Sequence, residues 1–87
     1  MLNKKSPIIE IDVHGMTSVQ AVTAVQNKVK KAGSEVYILR VIHGYNGGTK
    51  LRSAIRREFG TGLEPKVKRV RMGDNEGITE LVLKELY

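Results

Sequence analysis

The chain has 87 residues, enough for one domain and one hydrophobic core, because a second core would leave each half too small to bury sufficient apolar surface. It contains no cysteine and carries a formal net charge of +6. Disulfide and thiolate-zinc scaffolds are therefore excluded, and a reducing, cytoplasmic setting is expected. No apolar run approaches the roughly 20 residues that span a bilayer, and residues 1–7 lack the apolar core of a signal peptide, so no membrane association is expected. Residues 1–7 are read as a flexible tail and 8–87 as the domain.

Taken in chain order, Ile8-Ile9-Glu10-Ile11-Asp12-Val13 alternates apolar and acidic side chains with the period of a half-buried strand, and it stops at His14-Gly15. Thr17 followed three residues later by Gln20 forms the capping box of a helix. Val22, Val25, Val29 and Ala32 make the apolar stripe of that helix, and Gly33 is the expected C-cap. Residues 36–42 are almost continuously apolar and β-branched, which predicts a central strand covered on both faces. It too ends in His-Gly, at His43-Gly44.

A glycine-rich loop, Gly44-Tyr45-Asn46-Gly47-Gly48, leads to Thr49 as the N-cap of a second helix. Leu51, Ala54, Ile55 and Phe59 of this helix face inward, with Arg52, Arg56 and Arg57 on its outer face. Residues 67–72 alternate basic and apolar side chains as an edge strand would. The turn 73–77 and a last strand, 78–83, complete an antiparallel hairpin. The order βαβαββ predicts an α/β two-layer sandwich. Its four-stranded mixed sheet would carry both helices on one face, because parallel crossovers are right-handed.

Between Arg40 and Arg71 nine basic side chains face only two acidic ones, Glu58 and Glu64, whereas the remainder of the chain is close to neutral. A charge so polarised attracts polyanions, and nucleic acid is the expected partner. The chain also repeats itself once: Ile11-Asp12-Val13-His14-Gly15 and Arg40-Val41-Ile42-His43-Gly44 both read strand, histidine, glycine, then a threonine-capped helix. In a parallel βαβ unit the C-terminal strand ends share one edge, where open α/β sheets bind ligands. His14 and His43 should therefore meet at one rim, together with two helix N-termini able to hold phosphate.

Asp12, His14 and His43 are the candidate catalytic residues. His14 and His43 would exchange protons with a phosphodiester, and Asp12 would orient an imidazole or ligate Mg²⁺ or Mn²⁺. Gly44, Tyr45, Gly47, Gly48, Thr49, Lys50, Arg52 and Arg56 are the candidate phosphate and nucleic-acid ligands, with Tyr45 placed to stack on a base. The loop lacks the GxxxxGK[ST] order of a P-loop, so it does not predict nucleoside triphosphate hydrolysis. RNA supplies its own nucleophile in the 2′-hydroxyl, whereas DNA requires an activated water, which enzymes usually obtain from metals held by several carboxylates.

Ile11-Asp12-Val13-His14-Gly15 resembles the Leu-Asp-Leu-His-Gly motif of the small MutS-related (Smr) domain. The run His43-Gly44-Tyr45-Asn46-Gly47-Gly48-Thr49-Lys50-Leu51-Arg52 resembles its His-Gly-x-Gly-x-Gly-x-Leu-Arg motif. The resemblance extends from Ile8 to Leu83. It implies the βαβαββ sandwich, similar to the C-terminal domain of a bacterial translation initiation factor, in its stand-alone form. It also implies nucleic-acid binding with nicking or endonuclease activity on DNA or RNA. Asp12 and His14 match the first motif; His43, Gly44, Gly48, Leu51 and Arg52 match the second. The chain departs from the second motif at Tyr45-Asn46, where a basic residue is common and the loop is one residue longer. The alternative function is a non-catalytic nucleic-acid or ribosome-binding module, and a monomer is expected in either case. A protein-interaction domain is disfavoured because the sequence shows no exposed apolar stripe.

Overall fold

A computed structural model describes residues 7–44 and 49–84. The elements run β1 (Ile8–Asp12), α1 (Ser18–Lys31), β2 (Ile38–Ile42), α2 (Lys50–Phe59), β3 (Arg69–Met72) and β4 (Ile78–Val82). The sheet order is β1-β2-β4-β3, with β1 parallel to β2 and β4 antiparallel to both of its neighbours. β1, β2 and β3 consequently point the same way, and their C-terminal ends lie on one edge, where β4 begins. Two right-handed crossovers in the same direction put both helices on one face. They lie side by side there, bridged by Gln26 Nε2 donating to Glu58 Oε2 at 3.3 Å. The expected architecture is the one observed.

The core lies between the sheet and the helices. Val13, Leu39, Val41 and Leu81 meet Ala21, Val25 and Val29 of α1 and Ile55 and Phe59 of α2, all 2 % exposed or less. α1 starts where the capping box predicts: Thr17 Oγ1 accepts from the Gln20 amide and Gln20 Oε1 accepts from the Thr17 amide, each at 3.1 Å. It ends differently from expectation. Ala32 is the C-cap and leaves in extended conformation (φ −67°, ψ 130°), so Gly33 is one residue beyond the cap. In place of a glycine cap, Lys66 Nζ donates to the carbonyls of Val29 (2.9 Å) and Ala32 (3.1 Å), with that of Lys30 at 3.5 Å, where the negative end of the helix dipole lies.

β2 is central, but only one of its faces is sealed. Leu39 and Val41 are buried under the helices, while Ile38, Arg40 and Ile42 are partly exposed on the far side. Across that far face the strand register lines up Glu10, Arg40, Glu80 and Arg71 as alternating charges. Arg71 Nε donates to Glu80 Oε1 at 2.7 Å, and Arg40 lies 3.4 Å from Glu10 Oε2 and 3.2 Å from Asp74 Oδ2. Arg40 and Arg71 are thus balanced locally by carboxylates and Lys66 is spent on α1. Of the positive stretch read from the sequence, Lys50, Arg52, Arg56 and Arg57 stay together on α2, and Lys68 and Arg69 are exposed at the start of β3. Among the described residues, no helix is long and apolar enough to cross a membrane.

Candidate nucleic-acid interface and catalytic dyad

Both histidine-glycine turns lie at the edge where β1 and β2 end, and each needs its glycine: Gly15 has φ +84° and Gly44 φ +77°, the left-handed region that a Cβ disfavours. The turns are neighbours. A Cβ on Gly44 would stand 3.6 Å from His14 Cβ, and the Val13 amide donates to Ile42 O at 2.9 Å. The hairpin turn joins the same rim, because the amides of His43 and Gly44 both donate to Gly77 O, at 2.9 and 3.0 Å.

The two imidazoles occupy different environments. The His14 side chain is 71 % exposed, and its Nδ1–H donates to Asp12 Oδ1 at 2.6 Å. The same oxygen accepts the His14 backbone N–H at 3.1 Å. Hydrogen bonding and charge from His14 hold the Asp12 carboxyl below the ordinary aspartate value, and Asp12 in turn raises the His14 imidazole above the ordinary histidine value. Nε2 of His14 has no partner among the described residues.

His43, expected from the sequence to face the same cleft, is instead only 4 % exposed. It follows β2 in the alternation that carries Leu39 and Val41, so it turns inward beneath α2. Its Nδ1–H donates to Gly44 O at 2.9 Å, and Nε2 lies 2.8 Å from Thr79 Oγ1 on β4. Burial pushes its pKa down; the Gly44 hydrogen bond opposes this, and the nearby Arg56 and Arg52 guanidinium groups add to it. The convergence of two free imidazoles is therefore not what the fold provides. It provides one exposed dyad, with a buried histidine behind the neighbouring turn.

Arg56 also departs from its expected place on a solvated outer face. Its Nε donates to Thr79 Oγ1 at 3.4 Å, and its Nη2 is buried with no hydrogen-bond partner. Arg52 is 25 % exposed and lies 3.9 Å from Glu76 Oε1. Lys50 opens α2 and is exposed. Thr49 occupies the N-cap position, but its side chain makes no capping hydrogen bond, and the first turn of α2 carries no acid. The start of this helix thus has amide donors and a positive dipole end that no side chain among the described residues caps. Tyr45, Gly47 and Gly48 lie outside the described residues.

Thr79, Glu76 and Gly77 were not legible as part of this rim. In a strand a β-branched threonine reads as ordinary sheet sequence, and a hairpin glutamate reads as turn polarity; only strand order brings them beside β2. As for a metal, Asp12 is the one carboxylate in the dyad and its Oδ1 is committed twice to His14. No group of three His, Cys, Asp or Glu able to hold a metal ion occurs among the described residues. The donor set does not fit a built Mg²⁺ or Mn²⁺ site.

The Smr domain family model matches residues 11–80. Among solved structures, the chain is similar to the Smr domain of Thermus thermophilus MutS2, with a TM-score of 0.76 and 26 % identity over 87 % of this chain and 98 % of that one. Comparison with curated proteins gives no match.

Proposed function

This chain belongs to the Smr domain family, and from that premise we propose that it binds nucleic acid and cleaves phosphodiester bonds as a nicking or endonucleolytic domain. The observation that carries the reading is the Asp12–His14 pair, an exposed dyad whose Nε2 has no partner among the described residues, next to Gly44. Lys50, Arg52 and the amide donors at the start of α2 would hold phosphate oxygens, with Gly44, Tyr45, Gly47, Gly48 and Thr49 forming the approach loop.

Asp12 keeps the His14 proton on Nδ1, which presents Nε2 as the working nitrogen, and by raising the His14 pKa it favours the imidazolium form over the neutral ring. RNA is the substrate that asks least of this dyad. Its 2′-oxygen attacks the adjacent phosphorus and the bond to the 5′-oxygen breaks. His14 Nε2–H gives its proton to that leaving oxygen, while the 2′-hydroxyl proton passes to solvent. The products are a 2′,3′-cyclic phosphate and a free 5′-hydroxyl. His43 is assigned no proton transfer, because both its ring nitrogens are engaged inside the fold; it holds the second turn in place.

Incubation of wild type and His14→Ala with single-stranded RNA, structured RNA and supercoiled plasmid tests the proposal. Wild type should cleave, and His14→Ala should cleave at least about 10²-fold more slowly while binding persists; equal cleavage, or none by either protein, overturns the enzymatic reading. A non-catalytic nucleic-acid or ribosome-binding module is the second reading, favoured by the burial of the second imidazole. It predicts salt-sensitive binding without product.

A further inference from the structure

Thr79 Oγ1 is approached by two side chains from two other elements: His43 Nε2 at 2.8 Å, just past β2, and Arg56 Nε at 3.4 Å, from α2. It is completely buried, so no water completes or replaces these bonds. The proton positions follow from what each group can do. A carbonyl oxygen only accepts, so the bond to Gly44 O requires the proton of His43 on Nδ1. A guanidinium only donates, so Arg56 Nε–H occupies one lone pair of Thr79 Oγ1. The neutral imidazole then has a lone pair on Nε2, and the group within hydrogen-bond distance of it among the described residues, the Thr79 hydroxyl, has a hydrogen to give.

We propose that Thr79 is a positioning residue: it donates its hydroxyl proton to His43 Nε2, accepts from Arg56, and by locking that tautomer fixes the Gly44 turn against His14. The chain of donation runs from Arg56 to Thr79 to His43 to Gly44, whose Cα stands beside the exposed dyad. It ties the start of β4 and the basic helix to the second histidine-glycine turn, which is the role left for a motif histidine that is only 4 % exposed. Burial and the two flanking arginines favour the neutral ring that the arrangement requires. Neither a valine nor an inward aliphatic side chain at position 79 could serve, since each would leave Arg56 Nε and His43 Nε2 without a partner at once.

The catalytic consequence rests on the phosphodiester reading, whereas the hydrogen-bond lock is testable without it. Nitrogen-15 NMR of the histidine side chains in the intact protein at neutral pH should show His43 protonated on Nδ1 and carrying a lone pair on Nε2. Thr79→Val should shift His43 toward a mixture of tautomers, and Thr79→Ser, which restores the hydroxyl, should return the wild-type pattern. In cleavage assays Thr79→Val should lower kcat by about tenfold or more with KM nearly unchanged, again rescued by serine. A wild-type spectrum with the proton on Nε2, or a His43 tautomer indifferent to Thr79→Val, overturns the lock, and the first of these needs no variant to fold. A lock that behaves as expected in a protein that cleaves nothing supports the positioning role and removes the phosphodiester reading instead.

Discussion

Asp12 Oδ1 lies 2.6 Å from His14 Nδ1 and 3.1 Å from the backbone nitrogen of the same residue, so one carboxylate oxygen sets both the imidazole tautomer and the main-chain turn that carries it. Position and electronic state are coupled at this pair. A variant that keeps the hydrogen bonds but loses the charge separates them.

Asp12→Asn is that variant. Its amide oxygen can still accept from Nδ1–H, but the negative charge that raises the His14 pKa is gone. With imidazolium as the proton donor, cleavage falls as pH rises through the raised pKa of His14. Asp12→Asn should move this falling limb to lower pH, toward the ordinary histidine value of about 6.5. His14→Ala should cost about 10²- to 10⁴-fold in rate. A pH–rate profile and an NMR titration of His14 Cε1–H check both; an unmoved midpoint in Asp12→Asn would refute the coupling.

His43 gives the opposite dependence, in stability. Its folded-state pKa is depressed, so protons favour the unfolded chain. The stability tied to the neutral ring is fully present above about pH 6.5. It is lost as pH falls from there through the depressed folded-state value. His14, with its raised pKa, contributes in the reverse sense, being stabilising at low pH and losing that contribution as pH rises through its folded value. Urea denaturation at pH 7.5 and 5.5 should therefore show a smaller loss of stability on acidification in His43→Gln than in wild type. The loss should be larger in His14→Gln.

The difference between these histidines marks how far the sequence could be read. The strands, both helices and the histidine-glycine turns followed from alternation, one capping box and helical stripes, all of them local signals, and the shared helix face followed from the handedness of parallel crossovers. The repeat correctly put both turns on one edge, but equal motifs were read as equal exposure. Strand parity decides otherwise: His43 continues the inward alternation of Leu39 and Val41, whereas the Asp12 hydrogen bonds hold the His14 turn outward. Arg40 and Arg71 counted toward a polyanion field until the register of β4 set Glu80 between them. Long-range pairing of this kind leaves no mark in a window of a few residues.

Glu76 reaches Arg52 at 3.9 Å from the hairpin turn and competes with any phosphate for that guanidinium. With Glu76 74 % exposed the pair contributes little to stability. Its effect is expected on binding: Glu76→Gln should tighten single-stranded RNA several-fold at low salt, while Arg52→Ala weakens it and reduces the slope of log K against log salt by about one unit. Fluorescence anisotropy across a salt series measures both. Affinity independent of salt, or unchanged by either substitution, would exclude this end of α2 from the interface.

Lys66 acts at the opposite end of the molecule, where α1 terminates away from the histidine-glycine rim. Its ammonium donates to two of the last carbonyls of that helix within 3.1 Å, a role that a glycine cap would otherwise fill. Lys66→Met keeps much of the aliphatic stem but removes the donor and the charge at the negative dipole end, and should cost about 1 kcal/mol. For a domain of this size that corresponds to a fall in Tm of roughly 4–8 °C. Lys68→Met is the matched control: among the described residues its ammonium meets only the Pro65 carbonyl, at 3.3 Å in an exposed position, so its effect should stay within about 0.5 kcal/mol. Because neither lysine is near the dyad, thermal melts should separate the two variants while nucleic-acid cleavage by the folded proteins does not. Equal melting temperatures would show that the carbonyls at the end of α1 are served as well by water as by Lys66.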